Sequence, residues 1–212
     1  MNSIAVVDYG MGNLRSVSKA LEYVDSSAVV TVTSDPEVIR SASRVVVPGQ
    51  GAMPHCMQAL DEQGLRETVV EAAQNKPFLG ICLGLQMLFE ESEEGCTRAL
   101  GILPGRVKKL EPAKTADNSS TKIKIPHMGW NQVHQTRAHP LWQNIAADTR
   151  FYFVHSYYVT TDESQSVAGS TDYPDPFTCA IARDNIFAVQ FHPEKSHSAG
   201  LTLLSNFLKW AP

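Results

Sequence analysis

Phe78-Leu79-Gly80-Ile81-Cys82-Leu83-Gly84-Leu85-Gln86 is the stretch from which the rest of the chain can be read. Its apolar run Phe78–Ile81 predicts a buried strand, and Leu83–Ser92 predicts a helix. Between them, Gly80-Ile81-Cys82-Leu83-Gly84 has the nucleophile-elbow pattern, with cysteine where hydrolases often carry serine. A nucleophile on so sharp a turn sits in strained backbone, and its neighbours two residues away must be small where chains pack closely. A helix starting just after Cys82 would aim its first amides and its dipole at the sulfur, favouring the thiolate. The same amides, that of Leu83 first, could stabilise an oxyanion. Taken alone, the pattern fits a buried structural cysteine in a glycine-flanked turn equally well.

Towards the N-terminus, β-branched runs at Ile4–Val7, Val29–Thr33 and Arg44–Val47 alternate with helical patterns. The first helix follows from Leu14, Val17, Ala20, Leu21 and Val24, and a capping box at Ser34-Asp35-Pro36-Glu37 starts a second. Two more are expected around His55–Gln63 and Leu65–Asn75. Apolar strands alternating with helices imply a parallel sheet covered on both faces. Between Gly101 and Phe191 the apolar runs shorten and are punctuated by Pro and Gly, which suits antiparallel strands. Leu201, Leu204, Phe207 and Leu208 mark a last amphipathic helix. The expected fold is α/β, a mostly parallel central sheet flanked by helices with antiparallel strands added in the second half. Residues 1–212 read as one domain, with Pro112–Thr121 its most mobile internal loop.

His192-Pro193-Glu194 supplies what the cysteine needs. It follows the apolar run Ile186–Phe191, and proline favours extended geometry before it, so residues two apart should point to one side. Glu194 could then fix the tautomer of His192, completing a Cys82-His192-Glu194 triad. Pro48-Gly49-Gln50-Gly51 ends the strand before the one carrying Cys82. It should emerge at the same carboxyl edge of the sheet, where a backbone amide could become a second oxyanion donor.

Composition narrows the rest. Lysine and arginine total 18 against 22 acidic residues, a net charge of −4 with no basic block, so no nucleic-acid partner is expected. No apolar stretch approaches the roughly 18 residues of a membrane span, and the apolar start reads as a strand rather than a signal peptide. The expected location is cytoplasmic, with Cys56, Cys82, Cys96 and Cys179 as free thiols. Tyr9-Gly10-Met11-Gly12-Asn13 lacks the third glycine of a dinucleotide site, which Arg15 replaces, and the histidines show no metal-ligand spacing. Neither a cofactor nor a metal is expected. The run Phe151-Tyr152-Phe153-Val154-His155-Ser156-Tyr157-Tyr158 suits a core strand and a pocket wall equally.

Together these residues resemble the class I glutamine amidotransferases, through Gly80-x-Cys82-x-Gly84-x-Gln86 and His192-Pro193-Glu194. The resemblance runs essentially end to end. It is narrowest to the glutaminase subunits of imidazole glycerol phosphate synthases, through Asp8–Asn13, Pro126-His127-Met128-Gly129-Trp130-Asn131, Phe153–Tyr157 and Gln190-Phe191-His192-Pro193-Glu194-Lys195-Ser196. It implies the three-layer fold of that family and the hydrolysis of glutamine to glutamate and ammonia for histidine biosynthesis. By the same resemblance the oxyanion hole would draw on Gln50, Gly51 and Leu83. Glutamine would be held by Gly49, Gly51, Gln86, Glu94, Ser156 and Tyr157. A (β/α)8-barrel synthase subunit would form a heterodimer across Asn13, Trp130, Tyr152 and Lys195 and receive the ammonia. The alternatives are a stand-alone cysteine hydrolase and a catalytically silent regulatory subunit. Two departures stand out: Gln50 occupies a position where the family commonly has valine, and Glu111–Thr121 is longer than the usual connection.

Overall fold

The computed structural model describes residues 2–112 and 124–212, so the expected loop at 111–121 falls outside the described residues from 113 onward. The first part of the chain runs β1 (Ser3–Val7), α1 (Leu14–Val24), β2 (Val29–Thr33), α2 (Pro36–Ser41), β3 (Arg44–Gly49), α3 (Met53–Glu62), α4 (Arg66–Asn75), β4 (Phe78–Cys82) and α5 (Leu83–Gln86). Short strands follow: β5 (Glu91–Ser92), β6 (Thr97–Arg98), β7 (Arg106–Lys109), β8 (His127–Gln132) and β9 (His134–Gln135). The chain ends with β10 (Arg150–His155), β11 (Tyr157–Thr160), β12 (Val167–Asp172), β13 (Pro176–Arg183), β14 (Ile186–Val189) and α6 (His197–Lys209).

The main sheet is ordered β2-β1-β3-β4-β14-β13-β11-β7-β5-β6. Its first five strands are parallel, and β14, β13, β11 and β7 pair antiparallel in turn. Side-chain alternation explains the three layers. Ile4 and Val6 of β1 point to a core shared with Val17 and Leu21 of α1 and Leu203, Leu204 and Phe207 of α6. Ala5 and Val7 point to the opposite core, with Met57 and Leu60 of α3 and Val69 and Ala72 of α4. The second half splits off one ribbon: β8 and β10 pair with each other antiparallel, apart from the main sheet.

Three local expectations change. Asp35, not Ser34, caps α2, its carboxylate accepting from the Glu37 amide at 2.9 Å. The last strand closes at Val189 rather than Phe191. The helix after Cys82 stops at Gln86 instead of Ser92. Met87, Leu88 and Phe89 are completely buried, and their carbonyls are taken by the amides of Leu100, Gly101, Ile102 and Leu103. Those bonds replace the i+4 amides that would have prolonged the helix. A four-residue helix has little macrodipole, so any stabilisation of the Cys82 sulfur by this segment comes from its first amides alone.

Candidate active site

Three neighbouring parallel strands deliver the expected residues to one edge. In the order β3-β4-β14, Gly49 pairs with Cys82 and Ile81 pairs with Val189, so the Gly49–Gly51 loop, Cys82 and His192 all leave the sheet side by side. Cys82 has φ 56° and ψ −108°, the strained conformation expected of an elbow. The flanking glycines are required sterically. A Cβ on Gly84 would lie 1.9 Å from the Val47 carbonyl oxygen, and one on Gly80 would lie 2.7 Å from that of Gly84. Gly49 is equally confined, since its Cβ would fall 2.6 Å from the Tyr9 hydroxyl. It can therefore contribute only backbone to a ligand.

His192 itself is extended, as the proline after it favours (φ −105°, ψ 97°), but the chain beyond it does not stay extended. Pro193–Lys195 forms a single 3-10 turn, and within it His192 Nδ1 lies 2.8 Å from Glu194 Oε1. Glu194 thereby holds the proton on Nδ1 and leaves Nε2 as the working nitrogen. That Nε2 is buried and makes no hydrogen bond among the described residues. Burial works against charge on His192, but the Cys82 thiolate and the Glu194 carboxylate outweigh it and raise the imidazole to about 10. The turn is stitched to β10: the His192 amide donates to the Tyr152 carbonyl at 2.9 Å, and the Tyr152 amide donates to Ser196 Oγ at 3.0 Å. Ser196 Oγ in turn donates to the His192 carbonyl at 2.6 Å.

Cys82 and His192 open onto a cleft of about 440 Å³. Of the residues expected to hold substrate or oxyanion, Gln50, Gly51, Leu83, Gln86, Glu94, Ser156 and Tyr157 line it, and Gly49 does not. Tyr152 and Lys195 also line it, whereas Asn13 and Trp130 do not. Asn13 precedes α1, and Trp130 lies on β8, stacked on His197 at 4.9 Å and meeting Tyr152 edge-on at 6.1 Å. Glu94 is partly committed, because its Oε2 accepts from the Met53 amide at the start of α3 at 2.7 Å. The Gln50 carbonyl accepts from the Cys56 thiol at 3.5 Å; burial pushes that thiol up to about 11, which keeps it a donor.

The aromatic run serves both of its expected roles by alternation. Phe151 and Phe153 enter the core, and Tyr152 and Val154 face the cleft. Side chains to which the sequence assigned no role complete the surroundings. Gln190 donates to Cys82 Sγ at 3.6 Å, Tyr9 donates to the Pro48 carbonyl at 2.8 Å, and His155 lies within hydrogen-bond distance of the Tyr157 carbonyl at 2.8 Å. Burial lowers His155 to about 3, so it is a neutral imidazole. Gln190 had one legible signal: it is a polar residue in an apolar strand, two places before His192. Tyr9 reaches a carbonyl 39 residues away and His155 one only two residues on, and the segments that contain them gave neither a role.

The family model described as glutamine amidotransferase class-I matches residues 5–210. A curated relative from Nitrosomonas europaea, an imidazole glycerol phosphate synthase subunit HisH, is 86% identical over the full length of both chains. The HisH subunit of Nitrosospira multiformis is 66% identical, again over all of both. A crystal structure of a glutamine amidotransferase shares the fold, with a TM-score of 0.71 at 16% identity over 97% of each chain. The chain belongs to the class I glutamine amidotransferases, among the HisH subunits of imidazole glycerol phosphate synthase.

Proposed function

We propose that this glutaminase subunit acts through Cys82, His192 and Glu194. The observation that carries the reading is the pairing of a strained, cleft-facing Cys82 with a histidine whose Nδ1 is fixed by Glu194 and whose Nε2 is unengaged. The Cys82 thiolate attacks the side-chain carboxamide carbon of glutamine, forming a C–S bond and a tetrahedral oxyanion. Amides at Leu83 and in the Gln50–Gly51 loop face that oxygen. His192 Nε2–H protonates the departing nitrogen, the C–N bond breaks, and a glutamyl thioester and ammonia result. Neutral His192 then takes a proton from water, whose oxygen displaces the thiolate and releases glutamate.

Residues around the cleft divide the rest of the substrate between them. Both amide hydrogens of Gln86 are committed, to the Tyr157 carbonyl and to Gln190 Oε1, each at 3.0 Å. Gln86 can therefore only accept from a ligand. Glu94 retains a carboxylate oxygen for the α-ammonium, and Gly51, Ser156 and Tyr157 face the remainder. This chemistry requires no cofactor or metal.

The synthase partner is read as a (β/α)8-barrel bound as a heterodimer in the cytoplasm, receiving ammonia directly. The ribbon β8–β10 supports a docking face there: Met128 is 62% and Trp130 42% exposed beside Tyr152, above the histidine turn. Asn13 and Lys195 belong to the same reading. Residues 1–212 act as one domain, because the sheet that carries the site takes strands from both ends of the sequence. The decisive test is Cys82→Ser, measured by glutamate release with the synthase subunit present. We expect roughly a 10⁴-fold loss of turnover with the complex intact in size-exclusion chromatography. Unchanged turnover would exclude Cys82 as nucleophile, and full wild-type activity without the partner would favour a stand-alone hydrolase.

A further inference from the structure

Gln190 is fully buried, with 0% of its surface exposed, in the apolar run that leads to His192. Its amide orientation follows from its neighbours. The Tyr157 carbonyl can only accept, so it faces the NH₂ group of Gln86, which donates to it at 3.0 Å. The second hydrogen of that NH₂ group points at Gln190 and requires an acceptor there, Oε1, at 3.0 Å. Gln190 Nε2 is thereby turned towards Cys82 Sγ, 3.6 Å away. The Cys82 thiol itself donates to the Val154 carbonyl, at a weak 3.9 Å.

We propose that Gln190 is a catalytic residue of the glutaminase: its side-chain N–H, aimed by Gln86 and the Tyr157 carbonyl, stabilises the Cys82 thiolate and holds the sulfur in position for attack. The proposal rests on the reading of Cys82 as nucleophile. A hydrogen bond to an ionised acceptor favours the ionised form, so its loss must raise the pH at which the thiolate appears. The same bond returns each time the thiolate leaves the thioester. His192 and Glu194 in the turn after β14, His155 at the end of β10, Tyr9 and Cys56 behind the Gly49–Gly51 loop, and Glu94 and Lys195 at the cleft also surround the sulfur. All of them remain in place when Gln190 alone is changed.

The experiment is the rate of Cys82 alkylation by iodoacetamide against pH, read by peptide mass spectrometry, for the wild type, Gln190→Met and Gln190→Glu. The synthase subunit is bound throughout. Gln190→Glu keeps the acceptor for Gln86 and removes the donor to sulfur, so it decides the matter should the methionine variant fail to fold. We expect the midpoint of alkylation to rise by about one pH unit in Gln190→Met, and further in Gln190→Glu. Turnover should fall roughly tenfold with KM within about twofold. Folded variants whose alkylation profile superimposes on that of the wild type would overturn the proposal and leave Gln190 a core hydrogen bond. Failure of the underlying reading has a separate signature, retained glutaminase activity in Cys82→Ser.

Discussion

The two walls of the cleft are held by opposite means. On the nucleophile wall, position is set by absent side chains: Gly49, Gly80 and Gly84 each leave no room for a Cβ against the neighbouring strand or turn. On the base wall, position is set by hydrogen bonds that run through β10, from the Tyr152 backbone to Ser196 and His192, and by Glu194. That wall has a glycine contact of its own, Gly200 beneath the Pro193 carbonyl, but the orientation of the imidazole comes from polar groups. Steric seats are nearly two-state, whereas hydrogen-bonded seats can shift by fractions of an ångström. The base wall is also the one joined, through β10 and its partner β8, to the exposed Met128 and Trp130. A subunit docked on that ribbon would reach His192 through the Tyr152 backbone, whereas its path to Cys82 would run through the weak 3.9 Å contact of the sulfur with the Val154 carbonyl.

The largest effect should come from breaking the steric wall. Gly84→Ala places a methyl group 1.9 Å from the Val47 carbonyl oxygen, which is backbone and cannot rotate away. Overpacking of this kind costs about 1–3 kcal/mol, which for a chain of this size lowers Tm by roughly 2–4 °C per kcal/mol. Turnover should be lost as well, and binding of the synthase subunit should not restore it. Thermal unfolding and glutamate release measure the two effects. A variant with wild-type Tm and turnover would show that the elbow tolerates a side chain and that the contrast between the walls is wrong.

Glu194→Gln addresses the other wall. Burial alone would depress His192; the charges of Cys82 and Glu194 hold it near 10, above its ordinary 6.5. Because the folded value is the raised one, the stability this proton contributes is complete below about 6.5 and is lost as the pH climbs through about 10. Replacing the carboxylate by an amide removes one of the two raising charges. The alkaline limb of kcat should move down by about one to three pH units, so that turnover at pH 8 falls by up to roughly tenfold at the larger shift. A pH–rate profile that does not move would mean that Glu194 only orients the ring.

How much of this was legible depended on how local each cause is. The elbow could be read because Gly80, Cys82 and Gly84 lie within five residues, and their spacing is itself the steric requirement. His192 and Glu194 were legible as a pair, but for a partly wrong reason. Extended geometry was expected to align them; His192 is extended, but a 3-10 turn at Pro193–Lys195 brings Glu194 to it. The early end of α5 was hidden, since the amides that take the Met87–Phe89 carbonyls come from a segment more than ten residues later. The same holds for Gln190, whose role depends on Cys82, 108 positions earlier, and on Gln86, 104 positions earlier. Periodicity reports which face a residue occupies, not which distant atom stands opposite it.

Tyr9→Phe gives the smallest effect and the sharpest comparison. The buried hydroxyl donates to the Pro48 carbonyl at 2.8 Å, in the strand that leads into the Gln50–Gly51 loop. Removing it leaves a buried acceptor unpaired, at a cost of about 1–3 kcal/mol. The phenylalanine ring still fills the space, and Gly49 is still confined by the Leu83 side chain, where an added Cβ would stand 2.7 Å away. If sterics hold the nucleophile wall, stability should drop while kcat changes by less than about threefold, well below the single tenfold that 1.4 kcal/mol represents. A variant that keeps its Tm but loses most of its turnover would place a hydrogen-bonded, adjustable element on this wall too. The loop at Gly49–Gly51, rather than the histidine turn alone, would then be a second point at which a bound partner could act.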